Sequence, residues 1–313
     1  MATKKTAKKK TTAEKPVVKP AKTTVITRKV ASSTKQNKLK LKKPDTKLPS
    51  HTINIVLAEA LGTFVLTLVI LFSVASTTLP LYVGLAFAAL ILIIGNISGS
   101  HLNPAVTFGL WTARKLKTVL VPFYWAAQLL GGVAAVVLIN ALSGGSFSVH
   151  FDNFAEFSAG VFAVELIGTA IFLFGLTAVV SRLDLSNSVK ALGIGLSLAV
   201  GMVVSTSLMP YVQRAAFAEF QKENQASEQT QKAENERTYP REVYINTATL
   251  NPAASIAATE LTESQLQGSS VSQETEKAFS RFGLETIFAT LIGAAIGANL
   301  YLLVSYRAKI EQV

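Results

Sequence analysis

The chain contains no cysteine, so neither disulfide nor thiol chemistry is open to it, and cysteine usage says nothing of its redox compartment. Histidine is scarce too: His51, His101 and His150 belong to no ligand cluster, so no metal site is suggested. Charged residues make up 16% of the 313, and the positive ones are crowded into one place. The first 49 residues hold 16 Lys/Arg against 2 acids, a net of +14, whereas the whole chain nets +11 and the remainder therefore −3. That segment has no apolar run of signal-peptide length and is expected to be a disordered arm. With 50% hydrophobic residues and a mean hydropathy of +0.39, an ordinary soluble protein of this size is excluded. The composition is that of a membrane protein.

Six stretches approach the length of a membrane-crossing helix, at about 53–75, 80–97, 118–142, 159–181, 189–210 and 282–305. Basic residues cluster in alternate connections and after the last span: Arg114, Lys115 and Lys117, then Arg182 and Lys190, then Arg307 and Lys309. The positive-inside rule places these loops, the Lys-rich arm and both termini in the cytoplasm. The loop near Asp152 and Glu156 lacks Lys and Arg, and 211–250 holds five basic against six acidic residues, as expected of the outer side.

The chain also repeats itself. Asn103-Pro104-Ala105 recurs as Asn251-Pro252-Ala253. Ahead of each copy a Glu lies in an apolar run, in Ala58-Glu59-Ala60-Leu61-Gly62-Thr63 and Val164-Glu165-Leu166-Ile167-Gly168-Thr169. Val83-Gly84-Leu85-Ala86 reads against Ile194-Gly195-Leu196-Ser197, and Gln128-Leu129-Leu130-Gly131 against Thr290-Leu291-Ile292-Gly293. From Gly84 to Asn103 is 19 residues and from Gly195 to Asn251 is 56, so the second half carries 37 extra residues, placed as an outer insertion at about 211–250. The halves are about 53–142 and 159–305, within a channel domain of 50–313.

Three spans per half insert the second half upside down relative to the first, an inverted repeat. Asn is a good N-cap and Pro suits the first helical position, so 103–113 and 251–259 read as half-helices too short to cross. They enter from opposite faces, tolerable where protein or a cavity satisfies them. Their N-termini meet near the midplane, with Asn103, Pro104 and Ala105 facing Asn251, Pro252 and Ala253. Both positive dipole ends then point inward and repel cations, while the Asn amides donate to a neutral oxygen. The extended residues Gly99-Ser100-His101 and Thr247-Ala248-Thr249 offer carbonyl acceptors along the path. The fold class is an all-α membrane protein of six transmembrane helices plus two re-entrant half-helices.

Ser98-Gly99-Ser100-His101-Leu102-Asn103-Pro104-Ala105-Val106-Thr107 and the second Asn-Pro-Ala resemble the aquaporin and aquaglyceroporin family over about residues 53–305. The resemblance implies a pore in each subunit of a homotetramer, passive diffusion of water or small uncharged solutes such as glycerol, and neither cofactor nor catalytic step. It also implies that Glu59 and Glu165 brace the re-entrant loops. An intramembrane acid is by default a functional hypothesis, and a proton-coupled transporter using Glu59 or Glu165 is the rival reading. Gln128, Gly131, Gly293 and Gly297 fit helix packing better than pore lining, and Glu285 is expected to reach the interface at the end of the sixth span. Family members usually carry Arg directly after the second motif, where this chain has Ala254. Distance from the motifs puts Val83, Met202 and Ala248 at the other filter positions, all apolar. Ser255 resembles the water-selective branch while Ala254 argues for a wider filter, so water against glycerol stays open. The Lys-rich arm reads as a topogenic tail, a patch for anionic lipid or, least, a nucleic-acid-binding arm. A plasma-membrane channel is expected, not an enzyme.

Overall fold

The computed structural model describes residues 47–73, 78–145, 148–226, 238–268 and 277–310. The Lys-rich arm up to residue 46, and 227–237 of the expected insertion, lie outside the described residues. In chain order the helices are α1 (Thr52–Ser73), α2 (Leu79–Ser98), α3 (Pro104–Thr112), α4 (Val121–Leu142), α5 (Ala159–Ser181), α6 (Asn187–Ala226), α7 (Pro252–Ser255), α8 (Glu263–Gln267) and α9 (Leu284–Ile310). The two-residue strands β1 (Val149–His150) and β2 (Ala278–Phe279) pair in parallel. Among the described residues six helices, α1, α2, α4, α5, α6 and α9, are long and apolar enough to cross a membrane.

The repeat is visible in the packing: α1 lies against α2 and α4, α5 against α6 and α9, and the halves join where α2 meets α6. Glycine makes that seam. A Cβ on Gly84 would fall 2.6 Å from the Gly195 carbonyl oxygen, and one on Gly195 would fall 2.2 Å from that of Gly84, so any side chain there forces the backbones apart. Gly131, Gly293 and Gly297 sit equally close to the carbonyl oxygens of Ala60, Leu166 and Ala170 and serve helix contact. Phe87 and Phe172, one from each half, meet edge-to-face at 5.9 Å in the buried centre.

Counting the crossings puts 148–158, 238–250, 259–268 and 277–281 on one face, called here the lid face, and 113–120 and 182–186 on the other. Two elements there differ from the sequence reading. The fifth span was expected to stop at Pro210, yet α6 continues through that proline to Ala226. A membrane helix absorbs the lost hydrogen bond where its neighbours supply partners. At about 1.5 Å per residue its 40 residues reach about 60 Å, about twice the hydrocarbon thickness. The projecting part has work to do: Gln213 donates to the carbonyls of Ile245 (2.8 Å) and Val243 (3.4 Å), and Phe217 and Phe220 pack on Tyr239.

The second half-helix is the other departure. Expected over 251–259, it is a single turn, Pro252–Ser255. Ser280 Oγ donates to the carbonyls of Ser255 (3.0 Å) and Ile256 (3.1 Å), supplying donors that a further helical turn would otherwise provide. Thr259 pairs with Ser280 in an antiparallel bridge, which draws the chain off the helical path.

Candidate functional site

Each half builds its re-entrant loop around one buried carboxylate. Glu59, on α1, accepts from the backbone N–H of His101 (2.9 Å) and Leu102 (2.7 Å) and from Gln128 Nε2 (2.8 Å). Glu165, on α5, accepts from the N–H of Thr249 and Leu250 (2.9 Å each) and from Thr249 Oγ1 (3.3 Å). The loops have no regular structure of their own, and buried N–H groups need acceptors. One difference breaks the symmetry. Where Glu59 holds neutral Gln128, Glu165 holds Arg281 through Nη2 at 3.2 Å.

The braced residue before each motif is in left-handed backbone, Leu102 at φ +52° and Leu250 at φ +51°. A Leu held there costs about 1–2 kcal/mol, and its carbonyl is thereby turned across the centre of the molecule. Asn103 Nδ2 donates to the Leu250 carbonyl at 2.8 Å and Asn251 Nδ2 to that of Leu102 at 3.0 Å. Each Asn Oδ1 meanwhile caps its own helix, Asn103 on the N–H of Ala105 (2.8 Å) and Asn251 on that of Ala253 (3.0 Å). Pro104 and Pro252 occupy the first helical positions. An amide nitrogen has two hydrogens, so each Asn keeps one after making the cross-tie.

A small cavity opens at this meeting point, lined by Asn103, Asn251 and Thr249 and walled by Leu66, Ile70, Val83, Phe87, Phe172 and Leu198. It leaves about 10 Å³ for water centres, close to the minimum that admits one water. A second cavity of about 310 Å³ lies on the lid side and shares Ile70 and Thr249 with the first. Its wall includes Leu79, Met202, Asn246, Thr247, Ala248, Thr259, Glu260, Gln265 and Arg281.

The proposed filter positions do not meet in one place. Met202 and Ala248 line the large cavity and Val83 the small one, while Ala254 is fully buried and lines neither. Thr247 and Thr249 line the large cavity; Gly99, Ser100 and His101 line neither. Ser100 Oγ donates to the Leu90 carbonyl, and His101 Nδ1 lies 3.1 Å from Thr107 Oγ1.

Glu285 corrects the expectation of an interfacial acid. Only 1% exposed, it accepts from Arg241 Nη2 (2.7 Å) and the Ser158 N–H (2.9 Å). Glu260 beside it takes Arg241 Nε (2.7 Å) and Asn153 Nδ2 (3.0 Å). Arg281 Nη1 stands 3.7 Å from Glu285 and 4.0 Å from Glu260. Arg241, Arg281, Glu165, Glu260 and Glu285 thus form one buried ion cluster joining the lid to the second brace. The sequence marks only Glu165; the other members, drawn from three further segments, each look, alone, like a loop or span-end charge. Tyr244, fully buried, holds the lid from the other side: its hydroxyl donates to Glu263 and accepts from the N–H of Thr238 (3.1 Å) and Tyr239 (3.2 Å).

Six crossing helices, two oppositely inserted re-entrant loops and a one-water constriction between paired Asn amides define a polytopic membrane protein with an aquaporin-like fold. The profile of the Major intrinsic protein family matches residues 47–211, more than half of the chain. Aquaporin Z of Photorhabdus laumondii is 33% identical over 174 residues, 47% of this chain and 74% of that one. Aquaporin NIP1-3 of Oryza sativa subsp. japonica is 37% identical over 164 residues, 49% of this chain and 56% of that one. This chain therefore belongs to the major intrinsic protein family. It spans about half the length of most of the curated relatives it matches. The X-ray structure of the aquaglyceroporin from Plasmodium falciparum aligns over 80% of this chain and 93% of that one, with 21% identity and a TM-score of 0.46.

Proposed function

We propose that the protein is a passive pore for water and small uncharged solutes, glycerol among them, and that it performs no catalysis. The observation that carries this is the constriction: two Asn amides, each with a spare hydrogen, face about 10 Å³ of space whose remaining wall is almost entirely apolar. A neutral oxygen finds donors there, whereas an ion leaves its hydration shell without replacement. The nine-residue α3 directs its positive end toward the same point and adds to the barrier for cations. Asn103 and Asn251, set by Pro104-Ala105 and Pro252-Ala253, form the constriction. Val83, Met202, Ala248 and Ala254 make the surroundings of a filter, with carbonyls of Gly99, Ser100, His101, Thr247 and Thr249 as acceptors along the path. Glu59 and Glu165 are braces; each carboxylate already holds at least three donors, which leaves it poorly placed to exchange a coupling proton.

The pore belongs to a channel domain of 50–313, in a homotetramer in a plasma membrane, with the lid outside and both termini cytoplasmic. The Lys-rich arm of 1–49 then faces the anionic inner leaflet. Reconstitution into liposomes with stopped-flow swelling in water, glycerol and urea gradients tests the function. Water and glycerol flux well above empty liposomes, without proton uptake, is expected. Uphill uptake driven by a pH gradient overturns the reading in favour of a coupled transporter.

A further inference from the structure

The two sides of the constriction are not electrostatically alike. On one side α3 is nine residues long. On the lid side α7 is a single turn of four, too short to direct a comparable dipole at the pore, and Ala254 adds no charge. A permeation path that relied on the half-helices alone would lose half of its barrier to cations there.

The lid side has a fixed charge from elsewhere. Arg281 is 3% exposed, lines the 310 Å³ cavity together with Met202, Ala248 and Thr249, and lies 27 residues after Ala254 in the chain. Its position is overdetermined: the backbone N–H donates to the Ala258 carbonyl at 2.8 Å, the neighbouring Ser280 Oγ clamps the end of α7, and Nη2 donates to Glu165 at 3.2 Å. Yet Nε and Nη1 make no hydrogen bond. Nη1 lies only in the longer ion-pair range of Glu285 and Glu260, and a buried guanidinium with two groups that lack a hydrogen bond is costly unless something that visits the site accepts from them. The neighbouring carboxylates are otherwise engaged, Glu260 by Arg241 and Asn153, Glu285 by Arg241 and the Ser158 N–H.

We propose that Arg281 is a specificity-determining residue of the pore, its guanidinium N–H groups that lack a hydrogen bond donating to the oxygen of water or of a small polyol in the lid-side cavity while its charge offsets part of the carboxylates' attraction for cations. The proposal rests on the channel reading. The chemistry selects a neutral acceptor rather than an anion, because three carboxylates and two guanidiniums leave the cluster at a formal charge of −1. The requirement for a positive donor on this side is thus met by a residue that folding, not the motif, delivers.

The absence of native cysteine gives a clean test. Arg281→Cys is reconstituted and its water, glycerol and potassium permeabilities are compared with the unmodified protein, before and after a trimethylammonium methanethiosulfonate is added on the lid side. Glycerol flux relative to water is expected to rise about tenfold on losing the charge-assisted donor, potassium leak to rise with it, and the reagent to block flux in the variant and not in the unmodified chain. Arg281→Lys keeps the ion pair with Glu165 and covers the case in which Cys does not fold. It should retain potassium exclusion while its water-to-glycerol ratio changes at least about threefold, because a compact ammonium does not reproduce the planar donor set. If the unmodified protein conducts and the variants that fold keep its solute ratio, with Arg281→Cys indifferent to the reagent, Arg281 is a structural ion-pair residue and the proposal fails. If the unmodified protein passes neither water nor glycerol, it is the channel reading that fails.

Discussion

Glu59→Gln separates a brace from a proton relay. The carboxylate is fully buried and holds three donors, the His101 N–H on Oε1 and the Leu102 N–H and Gln128 amide on Oε2. Replacing one oxygen with an NH2 group leaves a donor facing a donor in either orientation. The better orientation keeps the oxygen at the Oε2 position and satisfies Leu102 and Gln128. It still strands the His101 N–H and leaves the new amide nitrogen without an acceptor. At about 1–3 kcal/mol for each buried unsatisfied group, the cost is about 2–6 kcal/mol. Part of it falls on the left-handed Leu102, whose carbonyl anchors Asn251 across the centre, so the constriction itself should loosen. For a chain of this size the melting midpoint in detergent should drop on the order of 10 °C, with water flux per folded protein reduced and no change in its pH dependence. A Glu59→Gln protein that melts like the unmodified one and loses only a proton-driven uptake would refute the brace and restore the relay.

Asn103→Asp and Asn251→Asp should each raise potassium leak, since a carboxylate offsets the positive potential at the constriction and meets a Leu carbonyl in place of donating to it; unchanged leak in a folded double variant counts against the meeting of the two loops. Ala254→Arg should lower glycerol flux more than water flux, because a fully buried Cβ leaves a long side chain only the neighbouring cavities to enter; stopped-flow swelling with an unaltered ratio removes Ala254 from the filter. Tyr244 is pushed up to about 12, first by burial and then by its hydrogen bond to Glu263. Its folded value is raised, so the stability it supplies is complete below about pH 10, the ordinary tyrosine value, and drains as pH rises toward 12; lid proteolysis followed against pH should show that loss, and a Tyr244→Phe variant insensitive to pH 10–12 attributes it correctly. Trypsin added on the lid side should cut between Gln221 and Arg241, a stretch nearly without aliphatic residues, while the ion-paired Arg241 and Arg281 survive; cleavage of that stretch only from the opposite face overturns the topology.

What the sequence determined by itself is the part of the protein that repeats. Long apolar runs specify membrane helices whatever surrounds them, because lipid leaves a backbone few other ways to satisfy its N–H and C=O groups. The duplicated Asn-Pro-Ala with its upstream Glu specifies helix starts and intramembrane acids by local chemistry alone. Gly84 and Gly195 read in the sequence as equivalent positions of the two halves, and only packing makes them the seam. Tertiary structure decided everything that depends on which distant residues meet. Pro210 reads locally as a helix end, yet α6 passes it, its projecting end packed on 238–245. The second half-helix stops after one turn because Ser280, 25 residues away, takes its carbonyls. Glu285 reads as an interfacial acid until Arg241 folds over it. The left-handed backbone at Leu102 and Leu250 is held against its own preference by acids some 43 and 85 residues distant. Motifs report what a residue can do with its chain neighbours; the ion cluster around the Arg281 guanidinium, beside the lid-side cavity, was assembled from segments that share no pattern, and only their packing brings it there.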